Sequence, residues 1–260
     1  MRTTLIITTY NWPSALNEVL STVANQTYLP DEVIVADDGS SVNTQKLVDK
    51  WLPLLDCALI YIWQPDKSFR AARVRNLAVA KASGDHLIFV DGDCLLPPHF
   101  VKSHRLIIRP RTLISGGRVL LTEVETKSLL GDPHGHVTRV FSNIKHLNLW
   151  WLPFRDRFLL SWRAVRTCNI AIFRQDLLSI EGFDEAYVGW GKEDSDLAVR
   201  IEILGLKIVS ARFGACVSHL FHGHETRSAL KANEANLTEV IKGSSWRPEK
   251  SCLRSIYYEG

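Results

Sequence analysis

At 260 residues, 46% of them hydrophobic and 23% charged, the chain has the composition of a globular protein with a sizeable core, which excludes disorder. A formal net charge of +3 is too weak to point to nucleic acid as a partner. Five widely spaced cysteines without a Cys-x-x-Cys pair exclude a zinc knuckle and a disulfide framework, and no apolar run reaches signal-peptide or membrane-span length, so a cytoplasmic protein is expected.

Residues 5–11 open with a β-branched run that Trp12-Pro13 stops, and Leu16, Val19, Leu20 and Val23 then recur at helical spacing. The plan repeats. Residues 32–36 form a strand ending in Asp37-Asp38-Gly39-Ser40, Leu47, Val48 and Trp51 mark a helix, and residues 59–63 form a third strand. Arg70, Arg73, Arg75 and Asn76 lie ahead of and within a helix over 74–82 that Gly84 closes. Leu87-Ile88-Phe89-Val90 are apolar without alternation, which predicts a strand buried on both faces, and it runs into Asp91-Gly92-Asp93. Gly92 is expected to allow a sharp turn there. No basic neighbour in sequence neutralises the two carboxylates, so a divalent cation carrying a diphosphate is the expected occupant, the alternative being a solvated acidic turn.

Alternating β and α units up to about residue 95 predict an α/β protein with a mostly parallel sheet flanked by helices, whose ligands bind at the carboxyl ends of the strands. Neither Gly-x-Gly-x-x-Gly after the first strand nor a Walker loop is present, which disfavours a nicotinamide Rossmann domain and a P-loop ATPase. Past Pro97-Pro98, residues 116–121 read as a strand, and an insert at about 123–166 resists assignment. Between positions 139 and 166 it combines Trp150, Trp151 and Trp162 with Arg139, Lys145, Arg155, Arg157, Arg163 and Arg166 against the single acid Asp156. That composition predicts a peripheral contact with an anionic membrane, the alternative being tryptophans packed inward. Residues 168–173 return to strand pattern, 181–185 make a turn, and Leu197, Ile201 and Leu204 mark a helix that Gly205 ends. Short strands lead to His219, His222 and His224, residues 225–242 read as a polar helix, and the tail from 244 carries no signal.

Several separate motifs now coincide in order and spacing. Thr8-Thr9-Tyr10-Asn11, Asp37-Asp38-Gly39-Ser40, Arg75-Asn76 before Ala-x-x-x-Ala-x-Gly-Asp, and Asp91-Gly92-Asp93 resemble the family 2 glycosyltransferases with the GT-A nucleotide-sugar-binding fold. Gly182-Phe183-Asp184-Glu185 with residues 189–196, Gly-Trp-Gly-Lys-Glu-Asp-Ser-Asp, resembles the C-terminal half shared by β-1,4-galactosyltransferases and bacterial chondroitin-type polymerases. The resemblance implies a nucleotide-sugar-binding half over 1–98 and an acceptor-side half over 99–243. It places Asp37 and Asp38 at the nucleobase with Thr8 and Tyr10, Arg75 and Asn76 among the donor-binding residues, Asp91 at the ribose and Asp93 on a metal. Asp194 becomes the base that takes the acceptor proton, Trp190, with Gly191 and Glu193, the acceptor platform, and His222, then His219, the residues completing the metal site.

The implied reaction is an inverting transfer of a hexose or N-acetylhexosamine from a UDP-sugar to a hydroxyl of a glycan or glycolipid, in bacterial surface polysaccharide or lipopolysaccharide synthesis. A sugar leaves a nucleoside diphosphate only if the charge developing on the phosphates is neutralised, and a carboxylate with imidazoles suits Mn²⁺ well and Mg²⁺ adequately. Glu193, Asp194 and Asp196 also start a helix, where acids favour the N-terminal dipole without catalysing anything. Two other functions compete: a nucleotide-sugar-binding protein without turnover, disfavoured by the presence of both Asp93 and Asp194, and a sugar nucleotidyltransferase, disfavoured by a first loop without glycine or base.

Overall fold

The computed structural model of the protein describes residues 1–131, 159–212, 214–223, 227–243 and 245–257. In chain order the elements are β1 (Thr3–Thr9), α1 (Pro13–Ala24), β2 (Glu32–Asp37), α2 (Val42–Trp51), β3 (Ala58–Trp63), α3 (Ala71–Lys81), β4 (His86–Asp91) and β5 (Cys94–Leu95). They continue with α4 (Phe100–Ile107), β6 (Thr112–Ser115), β7 (Gly117–Leu120), α5 (Glu123–Gly131), a 3₁₀ turn at Trp162–Ala164, β8 (Asn169–Phe173) and α6 (Arg174–Ser179). Last come α7 (Glu193–Ile203), β9 (Lys207–Ser210), β10 (Cys216–His219), α8 (Leu230–Gly243) and α9 (Cys252–Tyr257).

Among the described residues a seven-stranded sheet runs in the order β3-β2-β1-β4-β8-β6-β9, and β5-β10-β7 form a second, smaller sheet. The large sheet is mostly parallel, as the β-α alternation predicts; β8 runs antiparallel to both β4 and β6. β1 and β2 are buried along their whole length and β4 as far as Val90, because helices cover both faces. One core layer joins α1 to the sheet through Leu16, Val19, Leu20 and Val23; the opposite layer packs Val74, Ala78 and Val79 of α3 with Phe183 and Leu197.

Several local expectations are corrected. Gly84 does not cap α3, which ends at Lys81; it lies against β1, where a Cβ would press on Thr4. β6 and the short β5 carried no strand signal of their own, and α8 starts at Leu230 rather than 225. Within the tail, Cys252–Tyr257 form α9, with Leu253 fully buried. Within the insert, α5 is formed and Trp162 packs against the core while Arg163 lies over its ring at 4.3 Å. Arg139, Lys145, Trp150, Trp151, Arg155, Asp156, Arg157 and also His224 lie outside the described residues.

Candidate active site

The site begins where β4 leaves the sheet. Asp91 pairs in register with Thr8 of β1, and Gly92 N–H donates to Thr8 O at 2.7 Å. A Cβ on Gly92 would stand 2.9 Å from the Thr9 side chain, so glycine is required there for close approach to β1 rather than for an unusual turn angle. Asp93 follows, its side chain 15% exposed. Burial pushes its carboxyl above the ordinary range while the facing histidines pull it back down.

The second sheet brings those histidines in. β10 pairs antiparallel with β5, His219 opposite Cys94, and Leu220 N–H donates to Asp93 O at 2.9 Å. His219 Nε2 lies 3.6 Å from Asp93 Oδ1, and His222 Nε2 lies 3.6 Å from Asp93 Oδ2. One ligand atom from each residue falls within 4.8 Å of the others. His219 Nδ1 bonds Leu220 O at 2.9 Å and His222 Nδ1 bonds Gly223 O at 2.7 Å. Carbonyl oxygens only accept, so each Nδ1 donates its proton to the backbone and each Nε2 is the nitrogen that faces Asp93, the orientation that ligating histidines adopt. One carboxylate and two imidazoles fit a divalent ion such as Mn²⁺. Cys94 adds no thiolate: burial raises its thiol, which donates to Asp93 Oδ1 at 3.6 Å.

Across from Asp93, α3 delivers Arg75, buried and fully engaged. Its Nε donates to Thr8 Oγ1 at 3.2 Å, Nη2 pairs with Asp91 at 3.1 Å, and Nη1 pairs with Glu193 at 3.3 Å. Burial raises the Glu193 carboxyl and the Arg75 charge opposes that rise. Asp91 therefore has its cation within the fold. Glu193 opens α7 after a loop whose Gly189, Gly191 and Lys192 have φ of +79°, +105° and +78°. Asp194 is next and half-buried; its Oδ1 accepts from Ser195 N–H at 2.6 Å and from Ser195 Oγ at 3.2 Å. The loop is held by Phe69 O, which accepts from Gly189 N–H, and by Asn233, which donates to Gly191 O at 2.9 Å. Trp190 stays 37% exposed, with Arg227 over its ring at 5.4 Å.

At the other end, Asp38 is buried and accepts from Gln64 Nε2 at 2.5 Å and from Arg70 N–H at 2.6 Å; burial raises its carboxyl. Tyr10 is exposed, its hydroxyl donating to Asp66 at 3.0 Å. Asp37 accepts from Gly39 and Ser40 N–H and, at 2.6 Å, from the Tyr61 hydroxyl. Asn76, on α3 next to Arg75, is fully buried and bonded to both Phe183 N–H and O and to Glu185.

With this geometry in place, the family model "Glycosyl transferase family 2" matches residues 4–179, more than half of the chain. The chain belongs to glycosyltransferase family 2. A second model, described as the N-terminal domain of galactosyltransferase, matches residues 156–223. This family 2 chain is 29% identical over 228 residues to validoxylamine A glucosyltransferase of Streptomyces hygroscopicus subsp. limoneus, covering 80% of this chain and 49% of that protein. It is 28% identical over 226 residues to chondroitin synthase of Escherichia coli, covering 76% and 32% respectively. The chain thus spans about half the length, or less, of these relatives. Among solved structures, S. aureus TarS in complex with UDP-GlcNAc superposes with a TM-score of 0.66 at 18% identity, covering 96% of this chain and 68% of that one. The mannosyltransferase PcManGT from Pyrobaculum calidifontis, in complex with GDP-Man and Mn²⁺, gives 0.62 at 20% identity, covering 96% and 65%. The fold is that of the GT-A glycosyltransferases.

Of the residues singled out in sequence, the family 2 fold gathers two groups: Asp93 with His219 and His222, and Thr8, Arg75 and Asp91 with Glu193. Trp190 and Gly191 precede Glu193 on the same loop, and Asp194 follows it at the start of α7. Asp37 and Asn76 instead spend their polar atoms inside the protein. One supporting residue went unnoticed. Asn169 Nδ2 donates to Gly117 O and Ala215 O at 2.8 and 2.9 Å, and its Oδ1 bonds His104 Nε2, so it pins the small sheet carrying His219 onto the large one. The available signal was an amide in an otherwise apolar strand, which must find partners when buried.

Proposed function

We propose that this family 2 protein is a metal-dependent, inverting glycosyltransferase that moves a hexose or N-acetylhexosamine from a UDP-sugar to a hydroxyl of a glycan or glycolipid in bacterial surface polysaccharide or lipopolysaccharide synthesis. The observation that carries this reading is the convergence of Asp93, His219 and His222 at the carboxyl edge of the parallel strands, where open α/β sheets bind ligands. The UDP-GlcNAc held by TarS supports the donor class, and the GDP-Man held by PcManGT makes a guanine donor the competing outcome.

A divalent ion held by Asp93, His219 and His222, Mn²⁺ or Mg²⁺, would neutralise the charge on the departing diphosphate. The remaining work falls to the chain itself. Asp38, Thr8 and Tyr10 line the nucleobase side, Asp37 stiffens the turn that presents Asp38, and Asn76 steadies α3 beneath Arg75. Asp91 and Arg75 bound the ribose side. Trp190 offers an exposed aromatic face to the acceptor sugar, framed by Gly191 and Glu193. Asp194 takes the proton from the acceptor hydroxyl through Oδ2, since Ser195 holds Oδ1; one carboxylate suffices for a single inverting displacement. The basic and aromatic composition of 139–166 supports a peripheral contact with the anionic inner face of a bacterial membrane.

The test is a screen of UDP- and GDP-sugars for Mn²⁺-dependent turnover, with the anomeric configuration of the product read by NMR. Turnover of a UDP-sugar with inversion is the expected result. Activity that survives excess chelator overturns the metal site, and a retained configuration overturns the single displacement.

A further inference from the structure

In the motif Gly182-Phe183-Asp184-Glu185, Phe183 packs its ring under the Arg75 guanidinium at 5.6 Å and bonds Asn76, while Asp184 and Glu185 reach the chain beyond residue 248. Asp184 Oδ2 accepts from Glu249 N–H at 2.7 Å and its Oδ1 from Lys250 N–H at 3.1 Å. Glu185 N–H donates to Lys250 O at 2.7 Å, and its Oε1 accepts from Cys252 N–H at 2.8 Å. Ser251 Oγ donates to Glu181 O at 2.5 Å, while the Glu181 carboxylate pairs with Arg254 and Arg247. Gly182 has φ +75°, and any Cβ there would collide with Leu253 Cδ1 and with Asn76 Oδ1. Leu253 is wholly buried in the same core layer as Phe183 and Leu197.

We infer that residues 182–185 are a cradle for the segment 247–254, and that this docked segment positions the acceptor-side loop 186–192. The inference rests on the reading of that loop as acceptor-facing. Glu185 carries the linkage: it is bonded to the segment on one side and to α3 on the other, through Asn76 at 2.9 Å and Arg73 at 3.1 Å. Burial opposes ionisation of Glu185, but these donors outweigh it and hold its carboxyl below the ordinary range, so it stays an acceptor at neutral pH. The same helix carries Arg75, which holds Glu193 at the far end of the loop. The loop is thus anchored at both ends on α3, at its near end through a cradle that the segment completes, while Phe69 and Asn233 hold its middle. Glycine at 182 is the cost of letting Leu253 approach that closely.

Leu253→Ala tests this in the full chain by hydrogen–deuterium exchange and calorimetry with UDP and Mn²⁺. Exchange in peptides covering 186–192 should rise roughly tenfold or more while β1 and β4 amides keep their protection, the pattern of local rather than global opening. UDP affinity should stay within about twofold of wild type, because no donor-side group is touched. Leu253→Met should restore slow exchange. Unchanged exchange at 186–192, or an equal rise in β1 and β4, overturns the inference. A wild-type protein that binds neither UDP nor GDP would count against the glycosyltransferase reading alone, since the exchange measurement needs no substrate.

Discussion

The Arg75 guanidinium lies 3.1 Å from Asp91 and 3.3 Å from Glu193, joining the end of β4 to the first turn of α7 through one buried cation. Removing it leaves the buried Glu193 carboxylate without its cation and close to Asp91, whose side chain is 31% exposed. Arg75→Met should therefore cost about 3–5 kcal/mol in urea unfolding, the range for breaking a buried pair from one side. Adding Glu193→Gln should recover part of that loss. Stability of Arg75→Met within about 1 kcal/mol of wild type would show that the contacts are not energetically coupled.

Asp93→Ala and His222→Ala should each weaken Mn²⁺ binding, measured by titration, by more than tenfold, and should lower turnover alongside. Chelator should abolish turnover in the wild type and added Mn²⁺ restore it. Equal Mn²⁺ affinity in both variants would place the ion elsewhere.

Asp194→Asn preserves the shape and the bond from Ser195 while removing the proposed base. Its UDP affinity and thermal stability should stay close to wild type, and kcat should fall on the order of a thousandfold. Near-normal kcat would reduce Asp194 to an acid at the start of a helix.

His86 opens β4, at the far end of that strand from Asp91, and His104 lies on α4 bonded to Asn169; both are fully buried. Burial lowers His86 to about 3, helped by the charges of His104 and Arg105, and lowers His104 to about 4 despite its bond to Asn169. The unfolded chain takes up these protons below its ordinary value of about 6.5 and the folded one does not, so each histidine removes stability as pH falls from 6.5 toward its folded value. From pH 7 to 5 the loss should be about 2 kcal/mol per histidine. His86→Gln should flatten the measured dependence by that amount, and an unaltered slope would refute the assignment.

The membrane contact predicts sedimentation with anionic but not neutral vesicles, reversed by salt and by Arg155→Glu with Arg157→Glu, because each basic residue at such a surface contributes about 1 kcal/mol. Equal indifference to both vesicle types would remove the membrane from the reading.

The β-α order up to residue 95 and the placing of Asp91 and Asp93 at a strand end were legible in the chain, because both follow from hydrophobic runs and breakers within a few residues of one another. Leu87–Val90 are apolar without alternation, and such a run can end its burial only where the acids begin. The resemblance to family 2 and to the galactosyltransferase half is what points to His219, His222 and Asp194. What those patterns could not contain is the pairing of Arg75 with Glu193, 118 positions away, the antiparallel entry of β8, or the seat that residues 182–185 make for Leu253. Asn76 shows the limit most plainly: the family resemblance marks it for the donor, and the fold bonds it instead to Phe183, Glu185 and Ser251. Periodicity reports which face of an element is buried, whereas the partner it meets there depends on strand order, register and helix docking, and these are settled only when the whole chain closes on itself.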